Sequence, residues 1–122
     1  MRPRLYIIAA LAFLTISHVF AAGNRREADT LKNQGNALYR KGNIDGAIEI
    51  WLKAAAADST YADTFNNLGV AYYEKGAYRS AADTLRLAVA LDSRHDKALN
   101  TLGNAYLALG EYDSAKVCYE RS

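Results

Sequence analysis

Between residues 62 and 91 the apolar side chains recur every third or fourth place and do not alternate. Phe65, Leu68, Gly69 and Tyr72 stand at i, i+3, i+4 and i+7, which puts them on one face of a helix. Gly76 follows, where a left-handed residue would stop that helix. Tyr78, Ala81, Ala82, Leu85 and Ala88 then line one face of a second helix. Asp92 and Ser93 open the next turn, and Asp is a good N-cap. The pattern predicts helix, turn, helix, with no strand anywhere in the chain.

The same phrase returns on both sides. Gly35, Gly69 and Gly103 are 34 residues apart, as are Gly42, Gly76 and Gly110. Ala47, Ala81 and Ala115 keep that interval, and so do Ala37, Ala71 and Ala105. Separate registers agree without an insertion, so the chain is built from repeats. A glycine inside a helix costs about 1 kcal/mol relative to alanine. Gly69 is therefore expected where helix backbones approach, crossing near Ala81, with larger side chains filling the space above and below.

The repeated residues are Leu31, Gln34, Gly35, Leu38, Ala47, Trp51 and Ala54 in the first unit. They are Phe65, Leu68, Gly69, Tyr72, Ala81, Leu85 and Ala88 in the second, and Leu99, Leu102, Gly103, Tyr106, Ala115 and Tyr119 in the third. This resembles the tetratricopeptide repeat (TPR), whose 34-residue pattern runs W-x2-L-G-x2-Y, then Ala, an aromatic, Ala and Pro. The units are 28–61, 62–95 and a shortened 96–122. Three departures stand out. Leu or Phe replaces the early Trp, Ser59 and Ser93 stand where the family has Pro, and Gln34 replaces a Leu.

The resemblance implies an all-α solenoid of helix–turn–helix repeats, wound as a right-handed superhelix, whose first helices line a concave groove. The family's groove positions fall on Asp29, Lys32, Asn36 and Tyr39, on Asp63, Asn66, Val70 and Tyr73, and on Lys97, Asn100, Asn104 and Leu107. Asn side chains both donate and accept, which suits a peptide backbone. Tyr39 and Tyr73 are amphipathic and are candidate hot spots. Some TPR domains clamp a C-terminal carboxylate; Lys32, Asn36, Asn67 and Lys97 fall at four of the five clamp positions. Thr101 takes the fifth, where the family places a base.

Composition narrows the partner class. Apolar residues make up 51% and charged residues 23%, a folded chain and not a disordered one. The formal charge is +2, but Arg2 and Arg4 account for all of it. A domain neutral beyond them has no basic stripe for phosphates, so no nucleic-acid partner is expected.

Those arginines precede an unbroken apolar run from Leu5 to Leu14, followed by Thr15, Ser17 and His18 and then Val19-Phe20-Ala21. This is the layout of a secretory signal peptide over 1–22, with cleavage expected after Ala21 or, second, after Gly23. The chain is then periplasmic or secreted. The alternative is an uncleaved inner-membrane anchor holding the domain outside the cytoplasm, because Leu5 to Ala22 is barely long enough to span a bilayer. That segment is the only membrane contact expected.

No catalytic constellation can be assembled. There is no HExxH, CxxC, nucleophile elbow or phosphate loop, and neither a cofactor nor a metal is expected. Cys118 is the only cysteine and is expected to be a small buried apolar residue. His95 is expected to be a solvated turn residue. The chain ends inside a helix, so Leu107, Val117 and Tyr119 are expected to be partly bare, in a fragment or against a docked partner. The expected function is a non-catalytic interaction module binding a peptide or protein. The alternatives are an accessory region of a larger enzyme, a membrane-anchored assembly factor and a carboxylate clamp.

Overall fold

The computed structural model describes residues 24–122, and the signal peptide expected over 1–22 lies outside them. Six helices follow in order: α1 (24–40), α2 (Ile44–Ala57), α3 (Ala62–Glu74), α4 (Tyr78–Leu91), α5 (Asp96–Ala108) and α6 (Tyr112–Arg121). No strand occurs among the described residues. Helix α3 packs on α4 and α5 on α6, while α2 packs on α3 and α4 on α5 to join the hairpins. The fold is an all-α helical repeat solenoid.

Each hairpin turns on a glycine. Gly42, Gly76 and Gly110 have φ of +84°, +77° and +77°, a conformation that side chains resist. The Ala77 amide donates to the Tyr72 carbonyl and the Gly76 amide to that of Tyr73, both at 2.9 Å. This pair of bonds satisfies carbonyls that the helix end leaves open. It recurs at Gly42 and Gly110.

The glycines inside the helices do a different job. A Cβ on Gly35, Gly69 or Gly103 would come within 3.0 Å of Trp51, Leu85 or Tyr119 respectively. The large side chain of the second helix sits directly over the glycine of the first. Gly69 is thus the close-approach position expected, and the side chain that lies against it is Leu85. Leu85 and Ala81 are both fully buried, but it is Leu85 that needs the space.

The core forms two connected clusters. One centres on Trp51, Leu68 and Ala71, the other on Leu85, Leu99 and Leu102. Phe65 and Tyr72 pack against both and join them. Cys118 is buried in the second cluster as expected, and burial pushes its thiol pKa up. At the far end Leu107 and Val117 are exposed and Tyr119 is half-buried.

Joints between hairpins carry polar bonds as well. Asp58, almost fully buried, accepts from Arg25 Nε at 2.5 Å and from the Thr60 amide at 2.9 Å. Burial alone would raise the Asp58 pKa, but its bonds to Thr60 and Arg25 outweigh this and hold it low. The Arg25 guanidinium also lies 4.2 Å from the centre of the Tyr61 ring.

The start of α5 differs from the sequence expectation. Asp92 ends α4 in an extended conformation and does not cap α5. The cap is His95, whose Nδ1 accepts from the Ala98 amide at 3.2 Å. Its Nε2 donates to Asp63 Oδ1 at 3.0 Å, and its side chain is only 12% exposed. It is not the solvated turn residue expected, because both ring nitrogens are engaged.

Candidate functional site

The first helices α1, α3 and α5 carry the candidate groove. Asn67 Nδ2 on α3 donates to Asn36 Oδ1 on α1 at 2.9 Å, and α3 packs on α5. Between them lies a cavity of about 480 Å³. Helix α1 lends it Lys32 and Asn36, and α3 lends Asp63, Asn66 and Asn67. The turn into α5 adds Asp92, His95, Asp96 and Lys97. A smaller hollow of about 250 Å³ lies beside it, walled by Tyr39, Arg40, Trp51 and Val70. Asn36 and Asn67 line both, so the bonded pair separates two neighbouring hollows.

The sequence candidates are thus divided. Lys32, Asn36, Asn66, Asn67 and Lys97 meet in the larger cavity, and Tyr39 and Val70 border the smaller one. Tyr73, Asn100, Thr101 and Asn104 line neither. Tyr73 packs on Tyr78 with ring centres 5.4 Å apart and against the core. Asn104 accepts from the Tyr119 hydroxyl, and the Thr101 hydroxyl donates to the Lys97 carbonyl at 3.0 Å. Asn66 is only 8% exposed, and its Oδ1 has no partner among the described residues. Burying a carbonyl unpaired is costly, on the order of 1–3 kcal/mol.

Several of these side chains are already occupied. Lys32 Nζ donates to the Tyr61 hydroxyl at 2.6 Å and lies 3.1 Å from Asp29 Oδ1. Burial would lower the Lys32 pKa, but those two bonds raise it on balance. The Lys32 ammonium holds the Asp29 pKa down, helped by the Tyr61 hydroxyl, which donates to Asp29 at 2.9 Å. The Tyr39 hydroxyl donates to Glu74 across the first joint, which pushes its pKa up to about 12. Its ring tilts against Trp51 at 5.8 Å, so Tyr39 offers a ligand a fixed ring edge, with its hydroxyl already bonded.

Sequence reasoning missed Asp92, Asp96, His95 and Tyr61 as parts of this face. One signal was available. Tyr61 and His95 are 34 residues apart, and so are Asp29 and Asp63. In both joints the residue that opens a first helix reaches back to the Asp of the preceding first helix. Among the described residues no group of three or more His, Cys, Asp or Glu side chains is placed to hold a metal ion. No helix among them is long and apolar enough to cross a membrane.

Family models described as tetratricopeptide repeats match residues 35–76, 62–91 and 96–122. The second TPR of Spaghetti (RPAP3), solved bound to the HSP90 peptide SRMEEVD, is 30% identical. The match covers 81% of this chain and 92% of that one, with a TM-score of 0.79. The chain belongs to the tetratricopeptide repeat family. The first TPR of Spaghetti, with the same peptide, is 33% identical to this TPR chain over 80% of it and 77% of its own length, at TM-score 0.78. The second TPR domain of human RPAP3, solved with the HSP70 peptide SGPTIEEVD, is 30% identical over 80% and 81%, at 0.76. A comparison with curated protein sequences finds no match.

Proposed function

We propose that this TPR chain is a non-catalytic interaction module that holds an extended peptide segment along its concave face. One observation carries the reading: α1, α3 and α5 together wall a polar cavity of about 480 Å³, with Asn36 and Asn67 paired across its edge. That volume is within the roughly 300–1,000 Å³ of ligand pockets. Asn, Lys and Asp side chains facing one another can bond peptide N–H and C=O groups without making or breaking covalent bonds. That TPR neighbours were solved with seven- and nine-residue peptides supports a partner of this kind.

The test is an amide-shift titration of the full chain with two acetylated heptapeptides. One is SRMEEVD; the other is SRMKKVK, its C-terminus amidated. At least one is expected to shift the amides around Asn36, Asn66 and Asn67. Asn67→Ala should weaken that peptide by about fivefold or more, the usual loss for a desolvated hydrogen bond, while Asn100→Ala should not. If both peptides leave the concave amides unmoved, or act only near the exposed Leu87 on α4 and Val117 on α6, the reading is wrong.

The pattern of residues 1–22 supports an exported location, periplasmic or secreted, for the module. Mass analysis of the chain recovered from its host should place the mature N-terminus at Ala22 or Asn24. A chain starting at Met1 would favour the membrane-anchored alternative instead.

A further inference from the structure

The charges around the cavity do not suit the acidic peptides of the neighbouring structures. Three carboxylates line it, Asp63, Asp92 and Asp96, against the ammonium groups of Lys32 and Lys97. Lys32 is partnered by a further carboxylate, Asp29, which leaves Lys97 as the base of the lining that has no acid partner among the described residues. The His95 ring is held between the Ala98 amide, which donates to its Nδ1, and Asp63 Oδ1, 3.0 Å from its Nε2. Where a clamp would set its further base, Thr101 turns its hydroxyl back to the Lys97 carbonyl. A second observation is independent of the acids. Asn66 lines the cavity, is more than nine-tenths buried, and its Oδ1 accepts from no group among the described residues. A buried acceptor without a donor favours an occupant rich in N–H groups.

We infer that the occupant of this cavity is a segment bearing Lys or Arg side chains, seated among Asp63, Asp92 and Asp96, and not an acidic C-terminal tail. This rests on the peptide-binding reading above and names its ligand class. A guanidinium or ammonium group carries only donors. It would meet carboxylates that, among the described residues, have one lining cation free to offset them. Binding of this kind weakens with salt, because the carboxylates lie at a surface open to counter-ions.

Calorimetric titration of the full chain with the same two heptapeptides separates the possibilities. SRMKKVK is expected to bind about tenfold or more tighter than SRMEEVD at low salt, and the difference should shrink as sodium chloride is raised. Asp96→Asn should weaken SRMKKVK by about fivefold, the order of one unit charge near contact in a watery site. Lys97→Ala should strengthen it by a similar factor. Both substitutions are at exposed positions in the first turn of α5, so circular dichroism will report unchanged helix content. Preference for SRMEEVD, or Asp96→Asn leaving SRMKKVK unaffected, overturns the charge assignment while the peptide-binding reading stands. If neither peptide binds, both fall together.

Discussion

Trp51→Ala is expected to lower the stability of the chain by roughly 3–5 kcal/mol, the range for removing a buried tryptophan. Trp51 is 2% exposed and stands over Gly35, which has no side chain to fill the void. Its Nε1 also donates to the Lys32 carbonyl at 3.1 Å, a bond that alanine cannot make. Domains of this size are stable by only about 5–15 kcal/mol in all, so the first hairpin should loosen before the rest. Hydrogen exchange would show this as early loss of protection in α1 and α2 while α4 and α5 stay protected. Uniform loss across all six helices would mean that the three units unfold as one. The change should also weaken peptide binding, because Trp51 walls the smaller hollow beside Asn36 and Asn67.

Leu85→Ala carries the second large effect, about 2–5 kcal/mol for a leucine cut back in a closed core. Leu85 is fully buried at the centre of the larger cluster. Its contact with Gly69 makes the experiment more informative. Gly69→Ala alone gains about 1 kcal/mol of helix propensity but forces a Cβ into Leu85, and overpacking of that kind costs about 1–3 kcal/mol. The single substitution should therefore be neutral to destabilising in urea denaturation. In the Leu85→Ala background the clash is gone and the same substitution should stabilise. A sign that does not change between the two backgrounds would show that the glycine is not there to admit Leu85.

Much of this could be read from the residues before any coordinates. The hairpin turns were legible because a left-handed residue between two periodic stretches has one cheap solution, and Gly42, Gly76 and Gly110 all use it. The phased glycines and alanines gave the units because a repeat is a property of spacing alone. The opposition of Gly69 to Leu85 was not legible, since a period assigns a residue to a face but not to its partner across it. Asn66 was expected in the open groove, and it is in the cavity wall, but neighbouring helices close over it. His95 misled because an isolated histidine in a turn gives no hint of an acid 32 residues earlier. Asp96 was missed because it replaces the alanine found at Ala28 and Ala62. A departure from the repeat was informative there, where agreement with it was not.

Among the described residues, every side-chain bond between elements joins positions 35 or fewer apart in sequence. No strand from one terminus waits for a partner from the other. Closing loops this short costs little chain entropy, and topologies dominated by such contacts acquire structure quickly. The molecule can therefore mature in order as synthesis proceeds, each new hairpin settling on one already formed, with no need for the last residue to arrive before the first ones are committed.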